Sequence, residues 1–149
     1  GFTLEAEHPN VIAPGKRTMH TLNCYLITGE GGLRWVGGTP GGDQQPQWNM
    51  QVIVNLIDFA MDPQAAVEAP RWYSFPGTDP KNLPHPFVLR VEGRIPENVT
   101  TDLVQRGHRV ERLGDWGGGG AAQVIAVDPT TEALCGGSDP RVEGLALGL

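Results

Sequence analysis

Five residues, Gly38-Thr39-Pro40-Gly41-Gly42, separate a short apolar segment (Leu33 to Gly37) from a longer one with helical spacing (Pro46 to Ala60). Consecutive glycines can turn their backbone N–H groups towards a ligand at a distance that a side chain would obstruct. The helix behind them adds the partial positive charge of its N-terminus. Together these features suit stabilisation of an anion, either a bound carboxylate or the oxyanion of a tetrahedral intermediate. A nucleotide-binding Walker loop is excluded, because Gly42 is followed by Asp43 and not by Lys-Ser/Thr. Taken alone, a glycine turn between strand and helix is most often only a turn, so the remaining residues must decide.

Few other residues compete for a chemical role. His8, His20, His85 and His108 share no metal-ligand spacing. Gly117 to Ala122 formally satisfies GxGxxA, but Gln123 to Val127 reads as a strand where a dinucleotide site needs a helix. Neither a metal nor a cofactor is therefore expected. Arg71 and Arg141 are expected to form structural ion pairs or to bind loop carbonyls rather than to clamp a substrate carboxylate. Trp35 and Trp48 flank the glycine loop and read as core before substrate platform. Asn98-Val99-Thr100 is a glycosylation sequon, but it falls in an expected helix.

The elements that must position the loop follow from periodicity. Leu22 to Thr28 and Leu33 to Gly37 read as a hairpin around Gly29 to Gly32. Trp48, Val52, Ile53, Leu56, Ile57 and Ala60 fall on one helical face, with Asp43 placed to cap the start and Pro46 in the first turn. A short helix is expected over Pro63 to Ala69, a surface loop over 74–86, and a strand over Phe87 to Val91. A helix over Pro96 to Arg106 stops at Gly107, and His108 to Leu113 returns as a strand. Ala121 to Val127 and Ala133 to Gly136 form a second hairpin. The first twenty residues, broken by Pro9, Pro14 and Gly15, read as an extended arm. Cys24 and Cys135 lie in apolar stretches and are expected to be buried free thiols.

The chain has 149 residues, 39% hydrophobic and 19% charged, with 21 glycines, 13 prolines and a net charge of −6. One domain spanning 1–149, of α+β or loop-rich α/β type, accommodates this composition. The acidic balance and the absence of a basic, aromatic-interleaved stretch argue against nucleic acid as a partner. No run of eighteen apolar residues suggests a membrane span, and the first residues do not read as a signal peptide. No internal repeat is evident, and the compartment stays open.

Four blocks in order resemble the γ-glutamyltranspeptidase family. They are Pro14-Gly15-Lys16-Arg17, then Gly38 to Gly42 continued by Gln51 to Phe59, then Asp62 to Trp72, and finally Gly137-Ser138-Asp139-Pro140-Arg141 with Gly144. The resemblance implies half of an αββα sandwich of the N-terminal-nucleophile hydrolases, here the C-terminal part of the catalytic subunit. It also implies a precursor that cleaves itself, exposing a Thr whose own α-amine acts as base. The oxyanion-hole role carries over to Gly41 and Gly42. The paired serines that bind the substrate's α-carboxylate in the family align with His20 and Thr21. Thr21 keeps a hydroxyl donor, whereas His20 departs from the pattern and points to the branch that includes cephalosporin-acylase-type enzymes. The glycine loop near residue 117 makes Asp115 and Trp116 candidates for the rim of the cleft.

The implied activity is amide hydrolysis or acyl transfer on a γ-glutamyl or related acyl-amide substrate; the alternative is a non-catalytic acyl- or amino-acid-binding descendant. The nucleophile is expected upstream of Gly1, since Thr3 is preceded by two residues and the family separates the nucleophile from Pro14 by several dozen. The rest of the precursor, including the large subunit, is the expected partner, and the chain alone is expected to be inactive. Apolar surface left uncovered would invite association, including with a second copy.

Overall fold

The alternation of side chains along the glycine-punctuated segments builds a four-stranded antiparallel sheet in the order β1-β2-β6-β7. The computed structural model describes residues 3–17, 20–77 and 86–148. In the sheet, β1 (Cys24–Gly29) and β2 (Gly32–Gly38) form the expected hairpin, and β6 (Gln123–Val127) and β7 (Leu134–Ser138) form the second. Register pairs Trp35 with Ala126 and Gly37 with Val124, placing these residues on one face. Against that face pack α1 (Gln45–Ile57) and α2 (Pro63–Glu68). The core is Val52, Leu56, Ala66, Val67, Ala122 and Val124, with Trp35 packed against it.

The opposite face carries Leu26, Val36 and Ile125 side by side through the register of β1, β2 and β6. Leu26 is 70% exposed and Ile125 43% exposed. The same alternation explains a correction at Cys24, which lies two residues before Leu26 and is exposed; Cys135 pairs with Ala126 and is exposed on the edge strand β7, and both thiols are free as expected. An apolar neighbourhood in sequence did not mean an inward-facing position in the sheet.

A second, three-stranded sheet holds β3 (Trp72–Phe75), β4 (Val88–Val91) and β5 (Val110–Arg112), with α3 (Glu97–Gln105) between the parallel strands β4 and β5. Strand β3 occupies the start of what reads in sequence as a loop; residues 78–85 of that stretch, with His85, lie outside the described residues. Its edge is closed by α1, as the Gln51 side chain exchanges two hydrogen bonds with the Trp72 backbone (2.8 and 3.1 Å) and Gln47 two with Ser74 (2.7 and 3.3 Å). Side chains four apart on a helix face the same way, so two glutamines act as a substitute strand.

Helix boundaries shift for local reasons. Asp43 does not cap α1; a 3₁₀ turn over Gly42–Gln44 precedes it, and Gln44 is the N-cap without a side-chain bond. The helix stops at Ile57, short of Ala60, which adopts φ +51°. Asp62 caps α2, its carboxylate accepting from the Ala65 N–H at 2.9 Å. Gly107, at φ +94°, ends α3 as expected.

Candidate active site

The loop from Thr39 to Gly42 leaves β2 and enters the 3₁₀ turn, and it forms one wall of an open cavity of about 460 Å³. Thr21, Leu22, Asn23, Cys24, Gln45, Ala121 and Gln123 complete its lining. The structure therefore brings Thr21 to the same cavity as Gly41 and Gly42. His20 does not line it; its Nδ1 accepts a hydrogen bond from the Leu22 N–H at 3.2 Å.

Gly41 sits at φ +146° and Gly42 at φ +56°, both in the region that disfavours side chains. Their constraints differ. A β-carbon at Gly41 would run into the six-membered ring of Trp48, whereas one at Gly42 would meet nothing within 4 Å. Among the described residues, neither the Gly41 nor the Gly42 N–H donates a hydrogen bond. Two backbone donors on a cavity wall, beside the start of a thirteen-residue helix, are an arrangement that can hold an anion.

A second glycine loop holds the first in place. The Ala121 N–H donates to the Thr39 hydroxyl at 2.8 Å, and that hydroxyl donates to the Pro40 carbonyl at 2.9 Å. Trp48, 6% exposed, stands edge-on to Tyr73 and is flanked by Gly41 and by the Gly119-Gly120 backbone, where side chains would crowd its ring.

The second loop is in turn fixed by buried charges. Arg71 Nη1 donates to Asp139 at 2.5 Å and to the Gly119 carbonyl at 3.0 Å, and Asp139 accepts from the Ala122 N–H at 2.9 Å. Glu92 accepts from Gly118 N–H at 2.9 Å and from Arg141 at 2.6 and 2.8 Å. Burial alone would raise the Glu92 carboxyl, but the hydrogen bonds from Arg141, Arg71 N–H and Gly118 N–H hold it below its ordinary value. Arg71 and Arg141 are thus structural ion-pair residues, as their sequence context suggests. On β1, opposite Gly37, burial pushes the Tyr25 phenol up to about 12, so it stays protonated.

Asp115 and Trp116, the rim candidates, are held elsewhere in this chain. Neither lines the cavity: the Asp115 carbonyl accepts from Arg94 at 2.8 Å, and the Trp116 ring lies 3.6 Å from the Arg94 guanidinium carbon. Ala121 and Gln123 reach the cavity instead, and so does Gln45. Nothing local marked them; the position of Gln45, three residues after Gly42, was the one available signal.

This mixed α+β layer carries a glycine loop whose two N–H groups, unpaired among the described residues, face a cavity at a helix start. The family model described as gamma-glutamyltranspeptidase matches residues 1–149, and the chain belongs to that family. It is 37% identical to a glutathione hydrolase-like proenzyme of Bacillus subtilis (strain 168), over 99% of this chain and 27% of the relative. It is also 37% identical to the acylase ACY 1 proenzyme of Pseudomonas sp. (strain V22), over 93% of this chain and 23% of the relative. The chain thus spans about a quarter of the length of these relatives.

Among solved structures, cephalosporin acylase from Bacillus halodurans superposes with a TM-score of 0.75 at 40% identity, covering 97% of this chain and 25% of that one. Gamma-glutamyltranspeptidase from Pseudomonas nitroreducens superposes with a TM-score of 0.70 at 29% identity, covering 97% and 70%. The fold is accordingly that of part of the N-terminal-nucleophile hydrolase sandwich.

Proposed function

We propose that this chain is the oxyanion-binding part of an amidohydrolase or acyltransferase acting on γ-glutamyl or related acyl amides. The nucleophile is an N-terminal Thr lying outside these residues. Its hydroxyl attacks the amide carbon while its α-amine takes the proton; the C–N bond then breaks and the protonated amine leaves. Water or a second amine attacks the resulting ester and regenerates the hydroxyl. At both tetrahedral stages the negative charge falls on the former carbonyl oxygen, held by the N–H groups of Gly41 and Gly42.

The observation that carries this reading is the pair of undonated glycine N–H groups on the cavity wall. Thr21, exposed and lining the same cavity, is the candidate for binding the acyl group's carboxylate. His20, whose Nδ1 is engaged by Leu22, stands beside it. The glutathione hydrolase-like, acylase and transpeptidase names of the relatives and neighbours support the reaction class.

The relatives' designation as proenzymes supports the rest of the same precursor as the partner; the outer face, with Leu26 and Ile125 exposed, is the surface it would cover. Without that remainder, this chain is inactive. Its test is mass spectrometry of the full-length protein incubated with γ-glutamyl and glutaryl 4-nitroanilides. Self-cleavage into two chains and an acyl adduct on the new N-terminal residue are expected. An intact, unmodified protein that binds the acyl compounds without turning them over would favour the non-catalytic descendant.

A further inference from the structure

Gln45 opens α1, and its backbone N–H donates to the Gly42 carbonyl. Gln45 lines the same cavity as Gly41 and Gly42, yet it is only 4% exposed. No hydrogen bond reaches its carboxamide among the described residues, and the amide oxygen is sealed from solvent without a partner. A buried amide left unpaired is costly, and an apolar residue of that length would avoid the cost. Only the oxygen is sealed, so the NH2 end can still donate to a ligand in the cavity.

We infer that Gln45 is a third oxyanion donor, its carboxamide NH2 joining the Gly41 and Gly42 N–H groups at the developing negative charge. The inference rests on the oxyanion reading of that loop. With the amide oxygen turned into the protein, the NH2 end is the half left for the cavity. A neutral side-chain donor fits this place: it adds a dipole aimed at the charge and needs no proton transfer of its own. It makes Gln45 a catalytic residue, and it commits the cavity beside Gly42 to the reacting carbonyl rather than to the distal end of the acyl chain.

The experiment compares Gln45→Met and Gln45→Glu in the full-length protein, on whichever of the γ-glutamyl and glutaryl 4-nitroanilides it turns over. Thermal unfolding of each variant is measured alongside. Gln45→Met is expected to lower kcat about 100-fold, with KM within about threefold. Binding of a boronic acid carrying the same acyl chain, whose adduct is tetrahedral, should weaken in step.

Gln45→Glu keeps the shape but sets a carboxylate against the oxyanion. Its activity relative to the parent protein should therefore rise as pH falls through the carboxyl range. Gln45→Met turning over within about twofold of the parent would overturn the inference, as would a Gln45→Glu profile parallel to the parental one. Should Gln45→Met fail to fold, the Gln45→Glu profile decides. Full activity of Gln45 variants beside inactive Gly42→Pro would sink Gln45 alone; normal activity of Gly42→Pro would sink the loop reading beneath it.

Discussion

The Thr39 hydroxyl accepts a hydrogen bond from the Ala121 N–H at 2.8 Å, across 82 residues of sequence, and so joins the two glycine loops. Replacing Thr39 by Val keeps the volume but leaves that N–H without an acceptor, at a cost of about 1–3 kcal/mol. Thr39→Ser retains both bonds. Urea denaturation of the full-length variants should show a lower midpoint for Val and a near-parental one for Ser. Equal midpoints would show that the link carries no weight.

Gly41 and Trp48 are expected to be energetically coupled. A methyl group at Gly41 meets the indole ring, an overpacking that costs about 1–3 kcal/mol. Trp48→Phe shortens the ring, so Gly41→Ala should cost less in that background. A double-mutant cycle by denaturation should return a coupling above about 1 kcal/mol; strict additivity would contradict the packing.

The Glu92 carboxyl is held below its ordinary value of 4.5, so its contribution to stability is fully present above that pH. It is lost as pH falls below 4.5 through the folded-state value. Glu92→Gln should therefore be less stable at pH 7 and show a shallower loss of stability below pH 4.5 than the parent protein. Removing one member of so buried a set costs about 3–5 kcal/mol. Urea midpoints at a series of pH values check both the size and the slope.

Leu26 is 70% exposed here, and an exposed substitution normally changes stability by at most about 0.5 kcal/mol. If the remainder of the precursor covers this face, Leu26→Asp in the full-length protein should cost several times that, or should separate the processed chains on gel filtration. A parental melting temperature and parental elution would place the partner elsewhere.

Much of this arrangement is legible in the sequence, but for two different reasons. Helix α1 was visible through Val52 and Leu56, whose spacing is set by their own burial, and the end of α3 through Gly107. The glycine loop was visible only through its company, since Pro14 to Arg17 and Ser138 to Arg141 lie in register with it. What escaped depended on tertiary placement. Strand β3 has four residues and exists because β4 and the Gln47 and Gln51 side chains supply its hydrogen bonds. The exposure of Cys24 follows from which sheet face meets α1, and the arrival of Ala121 at the cavity follows from Asp139 and Thr39. No local pattern encodes either.

The most direct test is turnover of full-length Gly42→Ala beside Gly42→Pro. Alanine keeps the N–H, enters open space and tolerates φ +56° at a cost of about 1–2 kcal/mol, so activity within tenfold of the parent is expected. Proline removes the N–H and locks φ near −65°, and turnover should fall by about 100- to 1000-fold. Proline turning over as fast as alanine would contradict the oxyanion role of this loop.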